Sequence, residues 1–211
     1  MADELAKAIT KIIYPALKPE GFRRARKRDL IRVESGIVQL LYFQVSGSGG
    51  REFCVTACAN LVAANEFVAL QPGFRLTRDT DGGDLWLSSH TAEDAERSAH
   101  VVLGSIQAEA LPYFEAIRTP AGFGNLLARE RWASTHHLSF QRGVAAALQG
   151  EMPAALRNLA DAIQLYEADG RDWCAAYIQR ARALQHALAG NTAPELLSGW
   201  YDANSKAHGI R

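Results

Sequence analysis

Two matched turns constrain the second half of this chain more than any other feature. Leu148-Gln149-Gly150-Glu151 and Leu188-Ala189-Gly190-Asn191 repeat a Leu-x-Gly pattern at a spacing of 40 residues, the length of a stacked helix pair. Each turn joins two stretches of helical periodicity, so residues 138–168 and 172–205 read as two helical hairpins. Thr192-Ala193-Pro194-Glu195 supplies a capping signal for the last helix. A module of this kind exists to present a surface, and too little chain remains after it for a third repeat.

The first half carries a different periodicity. Asp3 can cap a helix whose apolar positions Leu5, Ile9, Ile12, Ile13, Ala16 and Leu17 share one face, with Pro15 as a kink and Pro19 as its end. Strands follow at Leu30–Val33, Ile37–Val45 and Phe53–Val62, with Gly36 and the Gly47–Gly50 segment as the turns between them. Both faces of Ile37–Val45 are largely apolar, which places that strand centrally. Shorter strands are expected at Phe74–Thr77 and Leu85–Ser88. Thr91-Ala92-Glu93-Asp94 opens a long helix that Pro112 kinks or ends, and Thr119-Pro120 opens another.

These patterns define an α+β fold: an N-terminal helix and an antiparallel meander of three to five strands, closed by a long helix and followed by an all-α hairpin region. The division falls near residue 118, giving an α+β domain over 1–118 and a helical region over 119–211. The hydrophobic fraction of 48% is enough for a core in each. No stretch approaches the roughly 18 apolar residues of a membrane span. The acidic start Asp3-Glu4 is unlike a secretion signal, and three cysteines are too few for a disulfide scaffold. A cytoplasmic protein with free thiols is expected. Arginines outnumber lysines 18 to 5, a mark of a GC-rich bacterial genome.

Motif chemistry is sparse. Cys54 and Cys58 lie on one strand face about 13 Å apart, too far to share a metal or a disulfide. Asp79-Thr80-Asp81-Gly82-Gly83-Asp84 has its glycines at the wrong positions for a calcium loop and reads as an acidic turn. His136 and His137 are adjacent, lack a partner four residues on, and take a surface or cap role. Gly-x-Ser-x-Gly, His-Glu-x-x-His and Cys-x-x-Cys are absent, and no cofactor or metal site is expected. An enzyme would need a site assembled from residues distant in sequence.

Charge is uneven beneath a net of zero: residues 1–34 hold nine Lys/Arg against five Asp/Glu. A strand through the cluster would set Arg24, Arg26 and Arg28 on one face, with Arg23 beside them, where they could meet phosphates. Such a cluster equally suits a solvated edge that resists aggregation. Phe22 is its one aromatic neighbour, and the neutral total charge disfavours nucleic acid.

Two resemblances complete the reading. Ala16-Leu17-Lys18-Pro19-Glu20-Gly21-Phe22, then Val38-Gln39-Leu40-Leu41-Tyr42-Phe43-Gln44, then Leu111-Pro112-Tyr113-Phe114-Glu115 resemble, in order, an uncharacterised bacterial domain-of-unknown-function family over residues 5–118. That resemblance implies a fold and no catalytic residue. Gly143, the Gly150-Glu151 turn, Ala155-Leu156 and Ala162 resemble the small packing residues and turn of a tetratricopeptide-type repeat, while the second hairpin departs from it. The expected function is noncatalytic binding of another protein, with Tyr166, Trp173, Tyr177, Trp200 and Tyr201 as candidate anchors; the same rings could instead fill the core.

Overall fold

A computed structural model describes residues 3–47, 51–64, 72–130, 135–207 and 209. The chain forms two compact units, one of residues 1–33, 38–59 and 73–115, the other of residues 34–37, 60–72 and 116–211. The strand turn at Gly47–Gly50 lies mostly outside the described residues.

The first unit begins with α1 (Glu4–Ala8), which passes through a π-turn at Ile9–Ile13 into α2 (Tyr14–Leu17). Asp3 caps it, its carboxylate accepting from the Ala6 N–H at 3.0 Å. The closing helix has the same construction: α3 (Ala92–Ser105), a π-turn at Ile106–Ala110, then α4 (Leu111–Ala116). Each π-turn immediately precedes a proline-bearing turn, Tyr14-Pro15 or Leu111-Pro112. Proline cannot donate to the ladder, and its ring collides with the carbonyl four residues back. Widening the turn by one residue gives that ring room, so neither proline ends its helix. Thr91 caps α3 by accepting from the Asp94 N–H at 3.0 Å.

The sheet runs β1 (Arg23–Arg24), β2 (Leu30–Glu34), β3 (Ile37–Val45), β4 (Glu52–Leu61) and β5 (Gly73–Arg75), with β6 (Leu87–Ser88) also paired to β4. The central placement of β3 follows from its two apolar faces. Ser35 and Gly36 both take positive φ, 49° and 79°, the geometry of a tight hairpin turn between β2 and β3. Gly73 has no room for a side chain: a Cβ there would lie 2.3 Å from the Ala57 carbonyl of β4.

The segments that carried the family resemblance meet at Arg32. Its Nε donates to Gln39 Oε1 at 2.6 Å, and its Nη1 to the Glu20 carbonyl at 3.0 Å. Its guanidinium lies 5.1 Å from the centre of the Phe22 ring, and Nη2 is 3.7 Å from Glu115. Gln39 is fully buried and donates in turn to the Phe114 carbonyl at 3.1 Å. Phe22 and Phe114 pack 5.8 Å apart, and Tyr113 meets Phe74 edge-on at 5.2 Å. The turn, the strand and the helix end therefore share one buried polar knot wrapped in aromatics.

The helical unit contains α5 (Pro120–Arg129), α6 (Thr135–Leu148), α7 (Met152–Asp169), α8 (Cys174–Ala189) and α9 (Ala193–Ala207). Thr119 caps α5 at the Gly122 N–H, 3.1 Å away. Arg142 of α6 donates to the Leu127 and Glu130 carbonyls, closing the end of that helix. Gly143 lets α6 and α7 approach, since a Cβ there would lie 2.7 Å from Leu159 Cγ. The two matched turns are both closed by an amide bonding to the carbonyl five residues back, Glu151 to Ala146 and Thr192 to Ala187. The left-handed residue is Gly150 in the first but Asn191 in the second, so the turns are offset by one residue from the Leu-x-Gly match. Residues 60–64 belong to this unit, where Arg180 donates to the Ala63 carbonyl at 2.9 Å and Asn204 to the Val62 carbonyl at 2.6 Å.

Candidate functional site

Antiparallel succession brings the start of α6, the end of α7 and the start of α8 to one end of the helical unit. His136, His137, Tyr166, Trp173 and Tyr177 gather there as a single ring cluster. Tyr166 is fully buried, and its hydroxyl is 2.9 Å from Nδ1 of His137. Tyr177 stacks on Tyr166 at 5.2 Å and 17°, while Trp173 stacks on His137 at 5.2 Å and 11°. His136 lies 4.8 Å from Tyr166 and 5.5 Å from Trp173. Offset-stacked and edge-on pairs of this kind are attractive beyond the area they bury.

The expected surface or cap role of the histidines is corrected here. His137 is buried, and both neighbours reach the same cluster because the rings of α7 and α8 approach the first turn of α6 from two sides. Burial, aided by His136 and Arg171 and opposed by Asp169, pushes the His137 imidazole down to about 4. Burial likewise lowers His136. Neutral His137 leaves one nitrogen free to accept from Tyr166, whose own ionisation burial suppresses.

The cluster has an outward edge. Trp173 is 38% exposed and carries the Arg171 guanidinium 4.9 Å above its ring. Asp169 pairs with that guanidinium, and this bond holds its carboxyl at about 2. On the inner side Phe140 meets Tyr177 edge-on at 5.8 Å. Arg180 then lies 5.9 Å from the Phe140 ring and 4.4 Å from the Trp200 ring. Four of the five aromatic candidates are thus joined, with Trp200 linked through Arg180. Trp200 and Tyr201 are half-buried on α9. Phe140, Arg171 and Arg180 have no place in the sequence-based expectations, and His137 enters them only as a surface or cap residue; the 137/140 spacing on one helix face was the available signal.

The basic cluster takes a different form from the expected strand. Only Arg23 and Arg24 are in a strand, paired with Ile31 and Leu30, and residues 25–28 are bends, so Arg24, Arg26 and Arg28 share no strand face. Three of its cations instead reach back to residues of the N-terminal helix and its cap. Arg28 binds the Asp3 carboxylate at 2.8 and 3.1 Å, and Lys27 binds it at 2.9 Å. Arg24 donates to the Thr10 hydroxyl and the Lys27 carbonyl. Burial alone raises the Asp3 carboxyl, but Lys27, the Ala6 amide and Arg28 outweigh it and hold it at about 2. Arg26 is exposed.

The three cysteines are buried free thiols, and burial raises each of them, Cys58 to about 12. In the acidic turn, Asp79 Oδ1 accepts from the Asp81 and Gly83 amides, and Asp84 pairs with Arg75. Among the described residues, no group of three His, Cys, Asp or Glu could hold a metal ion, and no helix is long and apolar enough to cross a membrane.

Residues 13–116 match the model of one family, the domain of unknown function DUF4304. This stretch is a DUF4304 domain. It runs from Ile13, the last residue of the first π-turn, through α2 and the sheet to the end of α4, and contains the whole Arg32 knot, Glu20, Phe22, Gln39, Phe114 and Glu115 included. The ring cluster lies beyond the DUF4304 match, in the all-helical part. No curated protein and no solved structure matches the chain.

Proposed function

We propose that this chain is a noncatalytic protein-binding module of the bacterial cytoplasm, with the aromatic end of its helical unit as the recognition surface. The observation that carries this reading is Trp173, a large ring 38% exposed and braced from beneath by four others. Rigid Trp and Tyr side chains with a neighbouring arginine are the residue types that dominate binding energy at protein interfaces. The tight α6–α7 approach at Gly143 supports a tetratricopeptide-like packing of the first hairpin. The DUF4304 domain supplies no reacting group to this reading, and its most connected polar residues serve the knot at Arg32.

The test is capture from the source cell by the full chain and by a Trp173→Ala/Tyr177→Ala variant whose fold is verified by circular dichroism. Loss of at least one stoichiometric partner in the variant is expected. Identical partner sets would reject the surface. A second reading, anion binding through Arg23, Arg24, Arg26 and Arg28, draws on exposed Arg26, but Arg28 and Lys27 already share the Asp3 carboxylate. An enzyme with dispersed catalytic residues is the third reading, and no geometry described above favours it.

A further inference from the structure

The outer face of Trp173 is a seat that the chain fills with an arginine of its own. Arg171 sits in the connection between α7 and α8, its guanidinium 4.9 Å over the indole and its Nε and Nη2 on the Asp169 carboxylate at 2.5 and 2.6 Å. A flat delocalised cation fits both elements at once, stacking on the ring while it donates in parallel to the carboxylate.

Neither element depends on Arg171 for its position. The inner face of the indole is fixed on His137, and Tyr166 and Tyr177 wall it edge-on at 6.1 and 5.9 Å. Asp169 is the last residue of α7, and the buried Cys174 thiol also hydrogen-bonds its carboxylate. Unsatisfied carbonyls at that helix end add partial negative charge, which favours a cation. Exposed Asp172 lies beside it in the same connection. By contrast, the Arg171 side chain is 63% exposed and therefore free to exchange.

We infer that a partner docks by placing an arginine of its own between Asp169 and Trp173, displacing Arg171 into solvent. The inference rests on the aromatic end being the docking surface proposed above. Guanidinium chemistry is selected over ammonium because only the planar fork meets the carboxylate through two bonds while lying flat on the ring. A neutral isostere would lose the charge on which both contacts depend.

The experiment uses the full chain, with the Trp173 indole N–H followed by NMR and assigned with Trp173→Phe. Probes are L-arginine amide and the neutral L-citrulline amide. In Arg171→Ala, arginine amide should shift the indole signal saturably, about tenfold more tightly than in the wild type, where Arg171 competes. Citrulline amide should not shift it, and Asp169→Asn added to Arg171→Ala should abolish the response. If Arg171→Ala does not fold, Arg171→Gln takes its place. An absent arginine response, an equal citrulline response, or indifference to Asp169→Asn overturns the seat. Should the seat fail while Trp173→Ala/Tyr177→Ala still loses a captured partner, the surface stands and its arginine chemistry falls. Failure of both experiments removes the surface as well.

Discussion

Acid should weaken the helical unit through His137 before it weakens anything held by carboxylates. The imidazole is neutral in the folded protein and is displaced from 6.5 to about 4 by burial, with His136 and Arg171 adding to the shift. The unfolded chain takes up a proton below about 6.5, whereas the folded chain resists until about 4. Stability is therefore complete above that upper value, falls with pH through the window, and levels off below the lower one. At 1.36 kcal/mol per pKa unit the full displacement corresponds to about 3 kcal/mol. Solvent screening near the exposed Trp173 edge reduces the expected loss to about 2 kcal/mol. His136 acts in the same direction, since its pKa is also lowered. Asp29, raised by burial, opposes it as the pH falls, and Asp3, held at about 2, contributes only below the usual carboxylate range.

The assay is urea unfolding from pH 7.5 to 4.5, followed by near-ultraviolet dichroism, on the wild type and His137→Phe. Phenylalanine keeps a ring under Trp173 but removes the titration. It also leaves the Tyr166 hydroxyl without its partner, so the variant should start about 1–3 kcal/mol less stable at neutral pH. Its stability should then fall less steeply through the window. Parallel pH profiles for the two proteins would refute the reasoning, because they would show that His137 protonates equally in folded and unfolded chains.

Replacing Gln39 with Leu should cost about 2–4 kcal/mol in chemical denaturation, since it strands Arg32 Nε and the Phe114 carbonyl inside the first unit. Gly143→Leu should lower stability by about 3 kcal/mol, because the new side chain must displace Leu159 and separate α6 from α7. Asp3→Asn should raise retention on a phosphate or heparin matrix at low salt, as Arg28 and Lys27 lose their shared carboxylate; unchanged retention would argue against the anion-binding reading.

Much of the architecture was legible because it depends on local order. The two apolar faces of Ile37–Val45 marked its position between two neighbours, and Thr91 and Thr119 announced their helices through side-chain acceptors only three residues from the amides they satisfy. Prolines 15 and 112 were legible as disturbances but not in their outcome. Whether proline breaks, bends or widens a helix depends on what the following turn packs against, and here Leu17 and Phe114 are buried on the far side. The basic cluster failed as a pattern for the same reason. A carboxylate twenty-five positions away in the chain, Asp3, sets the direction of Arg28.

By itself the sequence determined the two kinds of periodicity, the helix starts, the strand order along the chain and the paired helical hairpins, since each of these is decided by neighbours within a few residues. Only the tertiary structure decided which rings share a cluster and which histidine loses its proton. It also decided that Gln39 serves Arg32 and that Asp169 seats Arg171 on Trp173. Those outcomes depend on desolvation and on distances between separate elements, and neither quantity exists until the helices and strands have packed.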